Sequence, residues 1–188
     1  MGLISVACSG TGVARVRYGP PPGGLGPVPA GAPGDLLGAA LGELENYFGG
    51  RRKAFTVPVD LPAAPGARQT VLSVLHGSVG FGETVTYGAL AARAGLSGDG
   101  PVPPARVVGQ IMASNPCAVI VPCHRVVAGT GLGGYSGGTG TDVKQWLLIF
   151  EGAIPATLDW DPAGLRPAGA AGKRGIQGEP QPAGPRRS

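Results

Sequence analysis

Cys123, His124 and Arg125 stand consecutively in the run Val121-Pro122-Cys123-His124-Arg125-Val126-Val127, behind the apolar residues Ala118, Val119 and Ile120. A thiolate is a strong nucleophile, an imidazole exchanges protons near neutral pH, and a nearby guanidinium favours thiolate over thiol. The trio is therefore suited to attack on an electrophile. A cysteine at the end of an apolar strand is more often a small core residue, and the neighbouring cations shift the balance towards chemistry, since burying them unpaired is costly. Adjacent residues of an extended strand point to opposite faces. His124 thus reaches the Cys123 sulfur only through a bent backbone or a bridging water, which argues against a Cys–His hydrolase pair.

The elements that must position this box are legible in outline. Leu3 to Ala7 and Val13 to Tyr18 alternate as two strands of a hairpin around Ser9-Gly10-Thr11-Gly12, and Pro20 to Gly34 reads as a Pro/Gly loop. Leu36, Leu37, Ala40, Leu41, Leu44 and Phe48 recur at helical spacing between Asp35 and Gly49-Gly50. A strand over Phe55 to Val59, a linker over Leu61 to Gly66 and a helix over Ala67 to Val79 follow. His76, near the end of that helix, reads as a surface or capping residue. Thr86 to Ala94 and Pro103 to Ser114 predict two further helices, with Pro104 tolerated in the first turn. Their connection, Gly95 to Val102, is longer than the roughly 3–4 residues of a helix-turn-helix turn. Cys117 to Val121 predicts a strand delivering the Cys box, 129–141 a Gly-rich loop, and Asp142 to Phe150 a helix capped by Thr141 or Asp142.

Composition bounds the rest. The chain has 188 residues, 43% of them hydrophobic, which is enough for a core, but 36 Gly and 20 Pro require extensive loop. Residues 157–188 carry too few large apolar groups to pack and read as a disordered tail. There is no apolar run long enough to span a bilayer and no signal-peptide pattern, so a soluble intracellular protein is expected. Cys8, Cys117 and Cys123 lack metal-ligand spacing and read as reduced thiols, with no metal site. The formal charge of +4 is compatible with a polyanionic partner without requiring one.

Pro122-Cys123-His124-Arg125, with Phe81-Gly82-Glu83, Thr86-Tyr87, Ala105-Arg106-Val107-Val108-Gly109, Met112, Asn115-Pro116, Tyr135-Ser136-Gly137-Gly138, Lys144-Gln145-Trp146-Leu147-Leu148 and Glu151-Gly152, resembles the O6-alkylguanine-DNA alkyltransferase family, in the family's order, over roughly residues 65 to 155. The resemblance implies an α/β (α+β) chain. A small sheet-and-helix part spans residues 1–62, without the strand that usually opens it, and a mostly helical alkyltransferase domain with a helix-turn-helix spans 63–156. It implies single-use transfer of the alkyl group from O6-alkylguanine, and less efficiently O4-alkylthymine, to Cys123. His124 would be linked to the sulfur through water, and Glu151 would orient the imidazole and stabilise its cationic form. Asn115 would tie down the turn before the box, and Tyr87 would donate to the leaving purine.

By the same resemblance Arg106 fills the space of a flipped nucleotide, and Tyr87, Gly88, Ala105, Gly109 and Gly129 face DNA in the minor groove. Met112, Tyr135, Ser136 and Gly137 would wall the alkyl-guanine pocket, Lys144 would support its loop, and Arg125 would be a structural cation. No cofactor is implied. The partner is double-stranded DNA containing O6-alkylguanine, with no membrane, bound by a monomer that can act cooperatively; the location is the nucleus in a eukaryote and the cytoplasm otherwise. Three other readings are a relative that recognises lesions without repairing them, a Cys–His hydrolase and a plain helix-turn-helix regulator. The first is opposed by the presence of Cys123, and the last predicts indifference to Cys123→Ser.

Overall fold

The computed structural model describes residues 2–21, 23, 34–61, 66–98 and 100–156. The expected tail 157–188, most of the Pro/Gly loop and most of the linker before Gly66 lie outside the described residues. Among those described are five α-helices and two small sheets, the mixed α/β (α+β) class that the resemblance implies.

The first sheet is an antiparallel hairpin of β1 (Ile4–Cys8) and β2 (Val13–Tyr18), with Val6 opposite Val16 and a register shift at Ala7/Cys8. Ser9 accepts from the Thr11 and Gly12 amides and so closes the turn. The far side of β2 is used as well. Val13 exchanges backbone bonds with Pro58 and Asp60, and Val16 with Pro116 and Ala118. The segment expected as a strand over Phe55 to Val59 is irregular, with a single bridge from Val59 to Val13. Its amides are claimed elsewhere: the Thr56 and Val57 amides donate to the buried carboxylate of Glu43, which also meets Arg52 at 3.2 Å.

Helix α1 (Gly34–Phe48) buries the stripe Ala40, Leu44 and Tyr47, positions one helical face apart, and ends where Gly50 takes the left-handed conformation. Helix α2 (Ala67–Ser78) buries Val71, Leu72 and Leu75. Thr86 lies outside α3 (Tyr87–Arg93), as its N-cap, accepting from the Ala89 amide at 3.1 Å. Helix α4 (Pro104–Ala113) starts on Pro104, whose missing N–H has no partner to lose there, and buries Val108, Ile111 and Met112. Helix α5 (Thr141–Phe150) has no side-chain cap, in contrast to the expected cap by Thr141 or Asp142; the chain enters it from Gly140 at φ 81°.

The Cys box is the main correction. Cys117 to Val121 is a tight turn, with Val121 N–H donating to the Cys117 carbonyl and Val119 at φ 72°, and Cys123–Arg125 form one turn of 3-10 helix. The residues are apolar because the turn is buried, and apolar runs do not distinguish a buried turn from a buried strand. Strand character begins only at β4 (Val126–Val127), which pairs in parallel with β3 (Val85–Thr86). One hydrophobic core runs from Val13 and Val16 through the helices to Leu147, and both the hairpin and the box face it.

Candidate active site

Glu151, at the C-cap of α5, is the hub of the site. Its carboxylate accepts from Tyr47 Oη at 2.5 Å, from His124 Nε2 at 3.0 Å, from Arg125 Nη2 and Nε at 2.8 Å each, and from the Gly82 amide at 3.4 Å. Burial alone would raise the carboxyl pKa; the hydrogen bonds from His124 and Arg125 outweigh it and hold the group at about 2. Arg125 Nη1 also donates to the Val79 carbonyl at 2.7 Å, so this buried cation is paired and hydrogen-bonded through all three of its nitrogens. Around the hub, Tyr47 packs edge-on against Phe48, Phe81 and Phe150, and Trp146 stacks on Phe150 at 5.1 Å.

An ionised Glu151 dictates the histidine tautomer. Nε2 must carry the proton it donates, which leaves Nδ1 with its lone pair. His124 is completely buried, and its Nδ1 has no hydrogen-bond partner among the described residues. Burial pushes the His124 pKa down, with Glu151 opposing and Arg125 adding to it, so the ring rests neutral. The 3-10 turn supplies the bent backbone that the one-residue spacing of Cys123 and His124 demands.

Cys123 is 7% exposed. Burial raises its pKa, against the Asn115 and Tyr135 side chains and the Lys144 ammonium, which favour the thiolate. The adjacent guanidinium, read from the sequence as an activator, is spent on Glu151 instead. Asn115 holds the turn below the box: Nδ2 donates to the Val121 carbonyl at 2.8 Å, and Oδ1 accepts from the Cys117 amide at 3.1 Å.

Lys144 is fully buried and donates to the carbonyls of Val126 at 2.6 Å and Gly134 at 3.1 Å, pinning the Gly-rich loop over the box. Its burial lowers the ammonium pKa to about 8, and Cys123 opposes that shift. Tyr87 donates to the same Gly134 carbonyl at 3.3 Å, and its ring lies 5.7 Å from Lys144 Nζ. A Cβ on Gly133 would sit 2.9 Å from the Tyr87 ring, so only glycine lets the loop close on it.

The structure brings Tyr87, Gly109, Met112, Tyr135 and Ser136 together with Cys123 around a cavity of about 360 Å³. Ser136 donates to the Ala113 carbonyl at 3.2 Å, which ties the loop to α4. Gly137, expected in the same wall, does not line this cavity but a neighbouring one, where a Cβ would meet the Tyr135 and Tyr18 rings at 2.7 and 2.8 Å. Gly88, Ala105, Arg106 and Gly129 are exposed outside this cavity, Gly88 at the start of α3 and Ala105 and Arg106 in the first turn of α4. His76 is exposed, with Nδ1 3.1 Å from the Ile120 carbonyl. Tyr47 and Tyr18 are missed by the sequence reading. The available signal was position, Tyr47 on the apolar stripe of α1 and Tyr18 at the end of β2.

The comparisons with known proteins follow the same residues. Residues 67–153 match the family model for the DNA-binding domain of 6-O-methylguanine DNA methyltransferase. A crystal structure of Mycobacterium tuberculosis O6-methylguanine methyltransferase is 33% identical, covers 84% of this chain and 91% of that one, and superposes with a TM-score of 0.63. The chain belongs to the O6-methylguanine-DNA methyltransferase family. Another Mycobacterium tuberculosis structure of this family, solved in complex with DNA, is 31% identical over 80% of this chain and 86% of that one, with a TM-score of 0.62. The methylated-DNA--protein-cysteine methyltransferase of Mus musculus is 46% identical over 132 residues, which cover 66% of this chain and 58% of the mouse protein. That of Metallosphaera sedula is 38% identical over 60% of this chain and 65% of its own length. The chain thus spans less than two thirds of these two relatives. Among the described residues of this methyltransferase-family chain, no helix is long and apolar enough to cross a membrane.

Proposed function

We propose that this chain repairs DNA by moving the alkyl group of O6-alkylguanine onto Cys123. One observation carries the reading: the Cys123 thiol opens into a cavity, next in sequence to a buried neutral imidazole whose Nε2 is held by Glu151 and whose Nδ1 lone pair has no partner among the described residues. Such a nitrogen accepts the thiol proton through one water, while Glu151 stabilises the imidazolium that forms. The sulfur then attacks the alkyl carbon, the carbon–O6 bond breaks, and the electron pair passes to the purine. Tyr87, on the cavity wall, donates a proton or hydrogen bond to that departing base. The thioether formed offers water no good leaving group, so each molecule acts once and needs no cofactor.

Access requires the damaged nucleotide to leave the duplex. In this reading α3 and α4 form the helix-turn-helix and approach the minor groove through Ala105 and Gly109, with Gly88 and Gly129 flanking. Arg106 takes the place of the flipped base. O4-alkylthymine is a slower substrate, and the protein is a monomer that binds DNA cooperatively. Residues 1–62 form a supporting part and 63–156 the transferring domain. In a eukaryotic source it works in the nucleus.

Intact mass after mixing with a duplex containing O6-methylguanine tests the proposal. A gain of one methyl per protein, located on Cys123 and absent in Cys123→Ser, is the expected outcome. Lesion binding without a mass change would overturn it in favour of recognition without repair.

A further inference from the structure

Cys123 borders a second cavity, of about 350 Å³, on the other side of Tyr135. Met112, Tyr135 and Ser136 line both, so the two spaces meet at the sulfur. Tyr135 borders both, and its hydroxyl lies 3.2 Å from that of Tyr18 on β2. The character of the second space is different. Arg15 and Arg17 enter it from β2 and Arg68 from α2, and no acidic side chain among the described residues lines it. Arg15 and Arg17, two apart on one strand, share a face, and neither has an ion pair among the described residues. Arg68 uses Nη2 on the Ser114 carbonyl at 2.6 Å, which holds its guanidinium at the rim.

Geometry decides what such a space is for. With the guanine in the cavity beside Tyr87, the reacting carbon must lie against the sulfur. In-line attack sets the leaving oxygen opposite the sulfur, so any atoms beyond that carbon project to the side of the sulfur–carbon–oxygen axis. The arginine-lined cavity, which Cys123 also borders, offers space there. Three guanidiniums without a counter-ion among the described residues repel one another and offer forked donors that match a carboxylate.

We infer that the Arg15–Arg17–Arg68 cavity is a specificity subsite that accepts O6 substituents ending in a carboxylate. The inference rests on the alkyl-transfer reading and extends it to the substrate class. The chemistry is unchanged. A carbon–sulfur bond forms at Cys123, the carbon–O6 bond breaks, the electron pair leaves with the purine, and the thiol proton ends on the released guanine. The carboxylate stays ionised throughout, held by the arginines.

The test uses the full chain and three duplexes, carrying O6-methyl-, O6-butyl- and O6-carboxypropylguanine, the last two with equal carbon counts. The variant is Arg15→Gln/Arg17→Gln, both side chains being exposed, so the backbone bonds of the hairpin persist. Transfer to Cys123 is timed by intact mass. The expected result is carboxypropyl transfer by the unaltered protein at least as fast as butyl transfer. In the variant that rate falls about tenfold or more, the loss of charge-assisted hydrogen bonds, with methyl and butyl transfer within about twofold. Equal slowing of all three substrates overturns the inference and places the arginines on DNA phosphates. An unaffected carboxypropyl rate, or its absence while methyl is transferred, overturns it as well. Failure of the unaltered protein to take up methyl sinks the alkyl-transfer reading itself.

Discussion

Replacing Glu151 by glutamine keeps the side-chain volume and removes the charge on which Tyr47, His124 and Arg125 converge. The magnitude follows from the structure in two ways. The carboxyl titrates at about 2 in the folded protein against its ordinary value of 4.5. That difference is worth about 3 kcal/mol at roughly 1.4 kcal/mol per pH unit. Removing one partner of a buried ion pair costs about 3–5 kcal/mol, because Arg125 stays buried without compensation. The two figures agree, and either is a large fraction of the roughly 5–15 kcal/mol that holds a domain together.

The pH dependence has a definite sign. A carboxyl whose folded pKa is depressed contributes stability that is complete above the unfolded value of 4.5 and is lost as pH falls towards about 2. Glu151→Gln lacks this contribution at every pH and mimics the protonated state. Urea unfolding of both proteins at a series of pH values cancels the other carboxylates. The gap between them should be about 3 kcal/mol near neutrality and narrow by about 2 kcal/mol at pH 3 or so. A gap below about 1 kcal/mol, or one that is constant with pH, would refute the assignment of Glu151 as the ionised hub.

Gly133→Ala forces a methyl to 2.9 Å from the Tyr87 ring at φ 69°, and should cut transfer to Cys123 more than it lowers the melting temperature. Lys144→Met keeps the apolar stem but frees the Gly134 carbonyl, so faster proteolysis within residues 129–137 is expected, read by limited digestion; an unchanged pattern would show that the two carbonyl bonds do not hold the loop. Arg106→Ala should weaken lesion-duplex binding and slow transfer in DNA, yet leave reactivity with the free base O6-methylguanine unchanged, because Arg106 is exposed and outside the cavity. Iodoacetamide should label Cys123 in DNA-free protein with a rate that rises only above the ordinary thiol range of about 8.5, since burial raises its pKa; fast labelling at pH 6 or so would mean a standing thiolate.

Much of this arrangement was readable in the residues. The α1 stripe, the hairpin around Ser9 and Gly12 and the Pro104 helix start all follow from periodicity and capping, whereas the pocket residues Met112, Tyr135 and Ser136 enter only through the family resemblance. The segment leading to the box has the residues of a strand but folds as a turn. Ala118 to Val121 are apolar because they are buried, and burial alone does not distinguish an extended strand from a turn held by Asn115. Strand geometry sends His124 and Arg125 to opposite faces, yet both reach the Glu151 carboxylate, because a 3-10 turn redirects successive side chains about a third of a turn apart. Tyr47 lies 104 residues from Glu151, and no local pattern marks a pairing over that distance. The same holds for Tyr18 and Tyr135, brought together only by the packing of the hairpin on the loop.

The electrostatics of the site resolve an apparent conflict in the proposed chemistry. Burial raises the Cys123 pKa and lowers that of His124, so the resting pair is a thiol beside a neutral imidazole. Neither buried group then carries a charge, which is the cheapest arrangement in a low-dielectric interior. Moving the proton creates a thiolate and an imidazolium together. Glu151 already carries the charge that favours the second, and Asn115, Tyr135 and Lys144 favour the first. The cost of reaching the ion pair is therefore lowered in advance, by groups that do not move, without leaving a thiolate exposed to stray electrophiles. Reactivity in such a site depends on an electrophilic carbon seated against the sulfur, at the junction of the two cavities, where the proton transfer and the attack on carbon reinforce one another.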